Sequence, residues 1–187
     1  MHSPQSRTSS SRFLTFTVGL AFVICSAGLC QIQRRDTPPN ADIASDESHD
    51  PHRSIDEIRH RIAQYAESID KADTELASKV WLNSIEASFI HPLGHEHGFE
   101  QIKQNVYGHL MGETFSERKL TPRDIAIHVY GSSAWAEFYW DFNAKFRKDS
   151  SPIATHGRET QVYWKTQDGW RLVHVHYSGM PVKQNGF

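Results

Sequence analysis

From Gly157 to Pro181 the chain reads Gly-Arg-Glu-Thr-Gln-Val-Tyr-Trp-Lys-Thr-Gln-Asp-Gly-Trp-Arg-Leu-Val-His-Val-His-Tyr-Ser-Gly-Met-Pro, and this stretch restricts the fold more than any other. Thr160 to Thr166 is dense in β-branched and aromatic residues. Gln167-Asp168-Gly169 is a hairpin signal, and Trp170 to Tyr177 alternates again. The stretch predicts a strand, a tight turn and a second strand. His174 and His176 lie two residues apart, so within that strand they share a face.

Upstream the same alternation recurs. Ala134 to Phe146 reads as a long strand, and Ile125, Ile127 and Val129 form one face of a strand that ends at Gly131-Ser132-Ser133. Before Leu120 the apolar period is helical. Ser54 and Glu57 make a capping box for a helix whose buried face is Ile55, Ile58, Ile62, Tyr65, Ala66 and Ile69. A short second helix carries Leu76, Ala77, Val80 and Trp81. Ile85 to His91 reads as a short strand, His95 to Gly98 as a loop, and Phe99 to Leu110 as a third helix. Helical segments followed by antiparallel strands predict an α+β fold, a curved antiparallel sheet wrapped around N-terminal helices.

The N-terminus reads differently. Arg7 and Arg12 precede an apolar run from Phe13 to Leu29, with small residues at Ser26, Ala27 and Gly28. Residues 1–30 are therefore expected to be a signal peptide or an uncleaved membrane anchor. Residues 31–53, with Pro38, Pro39 and Pro51, are expected to be a disordered linker, 54–182 the folded domain and 183–187 a tail. Either leader places the domain outside the cytoplasm, periplasmic or extracellular. Membrane contact is expected only through an uncleaved leader. Both cysteines, Cys25 and Cys30, fall in it, which leaves no disulfide or thiol chemistry for the domain. A net charge of −2 argues against nucleic acid as a partner.

Several motifs of the C-terminal half resemble a known superfamily. Glu159-Thr160, Tyr163 or Trp164, Asp168-Gly169, Trp170 and the ending His174-Val175-His176-Tyr177-Ser178-Gly179-Met180-Pro181 are similar to the association domain of calcium/calmodulin-dependent protein kinase II. That family lies within the NTF2-like, or SnoaL-like, superfamily. The likeness extends more loosely through Leu93-Gly94, Gly98 and Ile127 to Gly131. It implies a small α+β cone with an open pocket and protomers paired through the sheet. It implies no kinase activity, since the chain has no glycine-rich phosphate loop, His-Arg-Asp loop or Asp-Phe-Gly. The arginines that line the association-domain pocket have no cationic counterpart here. The matching positions are Gln161, Tyr177 and Tyr139, or Trp140 if the register slips by one. An aromatic, hydrogen-bonding pocket for a small, partly apolar ligand fits these residues, with Tyr163 and Arg158 as further candidate contacts.

The candidate catalytic groups are His176, Glu137 and Asp141. An enzyme on this fold needs a carboxylate or histidine buried enough to raise its pKa and a donor such as Tyr139 or Tyr177 for a developing oxyanion. Alternation puts Glu137, Tyr139 and Asp141 on one face and Phe138, Trp140 and Phe142 on the other, so the register decides. The last strand is equally open: either Val173, Val175 and Tyr177 or Trp170 and Leu172 line the cone. His91, His95, His97, His174 and His176 could in principle bind a metal. With no His-Glu-x-x-His helix and no cysteine in the domain, no metal or cofactor is expected. Aromatics on both strand faces predict a homodimer or larger oligomer. Two functions follow as expectations: an oligomeric small-ligand binder, or a cofactor-independent SnoaL-like isomerase, cyclase or hydrolase.

Overall fold

The computed structural model describes residues 50–180. The leader, nearly all of the linker and the tail expected above lie outside these residues. Helix α1 spans Pro51–Lys71. It begins ahead of the expected Ser54 cap: the Asp50 side chain accepts from the His52 N–H, and Pro51 takes the first helical position, where a missing N–H costs nothing. Ser54 lies inside the first turn, buried. The helix stops at Ala72, which adopts a left-handed φ of 51°. Asp73 then caps α2, Thr74–Val80, by accepting from the N–H groups of Glu75 and Leu76. Ile58, Ile62, Tyr65 and Ile69 of α1 and Ala77, Val80 and Trp81 from α2 and its end are buried, as their spacing requires. Helix α3 opens with an α-helical turn, Phe99–Gln101, and runs on with π-type hydrogen bonding over Ile102–Glu113.

Six strands form one sheet: β1 (Ser88–His91), β2 (Gly94–His97), β3 (Phe115–Tyr130), β4 (Ser133–Phe146), β5 (Pro152–Thr166) and β6 (Gly169–Gly179). Their order is β2-β1-β6-β5-β4-β3. All neighbours run antiparallel except β1 and β6, which are parallel, so the sheet is mixed. The segment expected to be a loop, His95 to His97, is most of β2. It is short and polar because it is an edge, where an apolar strand would invite further pairing. The strand expected from Leu120 starts at Phe115.

One face of the sheet closes over the helices. On β4 that face is Ala134, Ala136, Phe138, Trp140, Phe142 and Ala144, all buried. On β5 it is Glu159, Gln161 and Tyr163. The open question on β6 has an answer that neither alternative contained. Val162 pairs with His174 and Tyr163 with Leu172, so Val173 is an extra residue in a β-bulge. The bulge reverses the alternation. Trp170 and Leu172 before it, and Val175 and Tyr177 after it, all turn toward the helices. His174 and His176 are left on the outer face, with Ser88 Oγ 2.7 Å from His174 Nδ1.

Candidate functional site

A cavity of about 220 Å³ lies between the inner sheet face and the helices. Its walls include Ile69 from α1, Phe89 from β1, Val106, Leu110 and Met111 from α3, Phe142 from β4 and Ile153 from β5. The polar groups that reach it are Tyr65, His91, Thr155, Glu159 and Tyr177. No lysine or arginine lines it.

Glu159 is the unusual member. It is 2% exposed and has no basic partner among the described residues. Gln161 Nε2 donates to Glu159 Oε1 at 2.6 Å, and the Tyr65 hydroxyl faces the carboxyl near enough to favour its ionised form. Gln161 Oε1 in turn accepts from the Tyr163 hydroxyl. Residues 159, 161 and 163 meet because alternate residues of β5 share a face. Burial pushes Glu159 from 4.5 up to about 8, outweighing the donors of Gln161 and Tyr65, which favour the ionised carboxylate. Burial likewise raises the phenols of Tyr65 and Tyr163 well above their ordinary value, with Glu159 adding to both.

Tyr177 forms the aromatic wall beside Glu159. It stacks on Trp140 with ring centroids 4.4 Å apart. Trp140 is 1% exposed and does not itself line the cavity, so the surface Tyr177 offers is the part the indole leaves uncovered. Gly157 makes this stack possible: a Cβ there would lie 2.3 Å from Trp140 Cζ2 and 2.1 Å from Ser178 O. The indole N–H of Trp140 has no partner, so shape rather than hydrogen bonding seats the ring.

At the mouth, His91 Nε2 lies 3.4 Å from Glu96 Oε1, and Asn105 Nδ2 donates to Glu96 Oε2 at 2.6 Å. The Leu93 N–H reaches His91 Nδ1 at 3.4 Å. Both ring nitrogens are therefore engaged, and the imidazole serves as a fixed wall.

The residues singled out from the sequence divide between the two faces. Trp140, Gln161, Tyr163 and Tyr177 face inward, but only Tyr177 lines the cavity. Glu137, Tyr139, Arg158 and His176 come together in a shallow outer groove. Asp141 lies on the same outer face, where Arg123 Nε reaches its Oδ2 at 2.9 Å and the Arg123 guanidinium sits 5.2 Å from the Tyr139 ring centroid. The physical reason is the register: β4 turns its apolar set to the core, which sends both acids and Tyr139 outward. Arg158 is out of step with Gln161 by an odd number of residues and must follow them. In the sequence Glu159 reads as half of a charged Arg158-Glu159 pair, which hides its place in the cavity wall. The signal was available, since it stands two residues before Gln161 and so shares its face. Among the described residues no cluster of three or more histidine, cysteine or acidic side chains is arranged for a metal. No helix among them is long and apolar enough to cross a membrane.

Comparison with known proteins agrees with this architecture. A protein of the nuclear transport factor 2 (NTF2-like) superfamily from Salmonella enterica serovar Typhimurium LT2 is 48% identical, with a TM-score of 0.71, over 72% of this chain and 96% of that one. A proposed dehydratase of the NTF2-like family from Streptomyces avermitilis has a TM-score of 0.64 at 19% identity, over 71% of this chain and 100% of its own. A type 2 hexachlorocyclohexane dehydrochlorinase has 0.61 at 15%, over 73% and 93%. At such identities these two likenesses concern the fold alone. No curated protein matches. The SnoaL-like domain profile matches residues 58–183, most of the chain, and with the cone just described the protein belongs to the SnoaL-like domain family, within the NTF2-like superfamily.

Proposed function

We propose that the domain is a cofactor-independent lyase or isomerase that takes a small, uncharged, largely apolar molecule into its cone and moves a proton with Glu159. The observation that carries this reading is a buried carboxyl facing a cavity without any cation to neutralise it. A group held near 8 is poised to accept a proton in its ionised form and return it close to neutral pH, where general acid–base catalysis works best. In the forward step the Glu159 carboxylate takes a carbon-bound proton. The electron pair left on carbon moves into an adjacent carbonyl, or expels a leaving group. The Tyr177 hydroxyl, in the same cavity wall as Thr155, is the donor beside the developing charge. An anionic substrate is disfavoured because it would be desolvated beside an acid with no compensating cation. At about 220 Å³ the cavity falls below the roughly 300 Å³ at which pockets for drug-sized ligands begin. The dehydratase and dehydrochlorinase named above support this reaction class by analogy of fold.

The test is incubation in D2O with neutral cyclic ketones such as 2-methylcyclohexanone, with exchange at the α-carbon followed by NMR. Exchange above the buffer rate that falls about 100-fold or more in Glu159→Gln is expected. Equal rates in the two proteins remove the proton-transfer reading. Binding without exchange leaves the second reading, a ligand carrier with the same cavity.

The domain also self-associates through the outer sheet face, in this proposal. Tyr130, Tyr139 and Trp164 are exposed there, apolar area that a second copy would cover. Export through the leader completes the reading. A monomer by light scattering at micromolar concentration would remove the association, and mass spectrometry of the mature N-terminus decides the leader.

A further inference from the structure

Gln161 and Tyr163 are both fully buried and neither lines the cavity, so neither can touch a bound molecule. They nevertheless form an unbroken hydrogen-bonded row with Glu159 along the inner face of β5. A side-chain amide has one accepting end and one donating end. The Tyr163 hydroxyl donates to the accepting end, Oε1, which turns the donating end, Nε2, to Glu159. We propose that Gln161 and Tyr163 are positioning residues for Glu159: Tyr163 fixes which way the Gln161 amide faces, and Gln161 holds one carboxyl oxygen against the strand, leaving the other edge to Tyr65 and the cavity.

This deepens the reading of Glu159 as the reacting group. It gives a physical purpose to two polar side chains that would otherwise carry desolvation cost deep in an apolar core. The arrangement acts in one direction only. Tyr163 has no hydrogen bond of its own to Glu159, so its influence passes through the amide. The titratable groups around the carboxyl are Tyr65 from α1, Tyr107 from α3, Tyr163 from β5 itself and Tyr177 from β6. His91 from β1 lines the same cavity, and Arg61 of α1 lies toward the Tyr163 end of the row.

The experiment is a 13C NMR titration of the Glu159 side-chain carboxyl in the full chain, with the resonance assigned by its loss in Glu159→Gln. Gln161→Met keeps the volume and removes the donor, and its midpoint is expected to rise by about one pH unit or more, a tenfold gain in proton affinity. Tyr163→Phe frees the amide to turn and is expected to raise the midpoint by a smaller step. The double variant should shift no further than Gln161→Met alone, because Tyr163 works only through Gln161. In the unmodified protein the Gln161 side-chain amide protons should move with the same midpoint as the Glu159 carboxyl, a measurement that needs no variant to fold. Additive shifts, no shift in either single variant, or amide protons blind to the Glu159 titration would overturn the proposal. The readout is ionisation rather than turnover, so failure here is distinct from failure of the proton-transfer reading.

Discussion

The two faces of one sheet hold the same kinds of side chain under opposite conditions. On the outer face Glu137 is exposed and Asp141 is paired with Arg123, in reach of water. On the inner face Glu159, one strand away, is buried with the Gln161 amide as its hydrogen-bond donor and no cation beside it. A carboxylate in water needs no partner to stay ionised; one removed from water without a counter-charge keeps its proton instead. Position relative to the pleat, rather than residue type, therefore decides which acid can take part in proton transfer near neutral pH. The aromatics divide the same way. Trp140 is clamped between Gly157 and Tyr177, while its neighbour Tyr139 lies open beneath Arg123.

The largest expected contrast lies between those two neighbours. Trp140→Ala should cost about 3–5 kcal/mol of stability and collapse the Tyr177 wall. Tyr139→Ala should stay within about 0.5 kcal/mol. Chemical denaturation of both variants measures the difference, and equal losses would break the two-face account.

The next contrast concerns pH. Glu159 keeps its proton in the fold up to about pH 8 but gives it up near its ordinary 4.5 when unfolded. Between those values the folded state binds more protons, so stability must fall as pH rises through this window and level off above it. Glu159→Gln should remove that part of the slope and leave the variant more stable than the parent by a few kcal/mol at pH 9. Glu137→Gln should leave the slope untouched. Thermal melts from pH 4 to 9 decide the matter.

A smaller effect tests the close approach of strand and indole. Gly157→Ala should destabilise by roughly 1–3 kcal/mol, because the added carbon meets both a backbone oxygen and Trp140. The smallest concerns the outer groove. Glu137→Gln combined with His176→Gln should change ketone binding in the cone, followed by saturation-transfer NMR, by less than about twofold. A large loss would move the site to the outer face.

These contrasts also explain what was legible beforehand. The helical stripes of α1, α2 and α3 and the alternation of β4 could be read directly, because each buries one face and leaves the other to water. Their shared cone was legible too, partly through resemblance to a known superfamily. The direction in which β4 faces was not, since Phe138, Trp140 and Phe142 compete with Trp135 and Tyr139 for the inside. The Val173 bulge was not legible at all. Periodicity assumes one residue per position, and a single extra residue lets Trp170 and Tyr177 share a face despite odd spacing. The β2 edge escaped because His95, Glu96 and His97 carry no apolar pattern. Glu159 is hidden for a different reason: its burial depends on Tyr65, more than ninety residues upstream in α1, and on Gln161 being committed inward.

The account rests on Glu159 titrating close to neutral pH inside the cone, far above an ordinary carboxyl. The direct measurement is the ionisation midpoint of its carboxyl in the unmodified protein, from the pH dependence of the 13C resonance. A midpoint near 8 is predicted. A midpoint in the ordinary carboxylate range, near 4.5, would mean that water reaches the carboxyl freely, and the inner face would lose its distinction from the outer one.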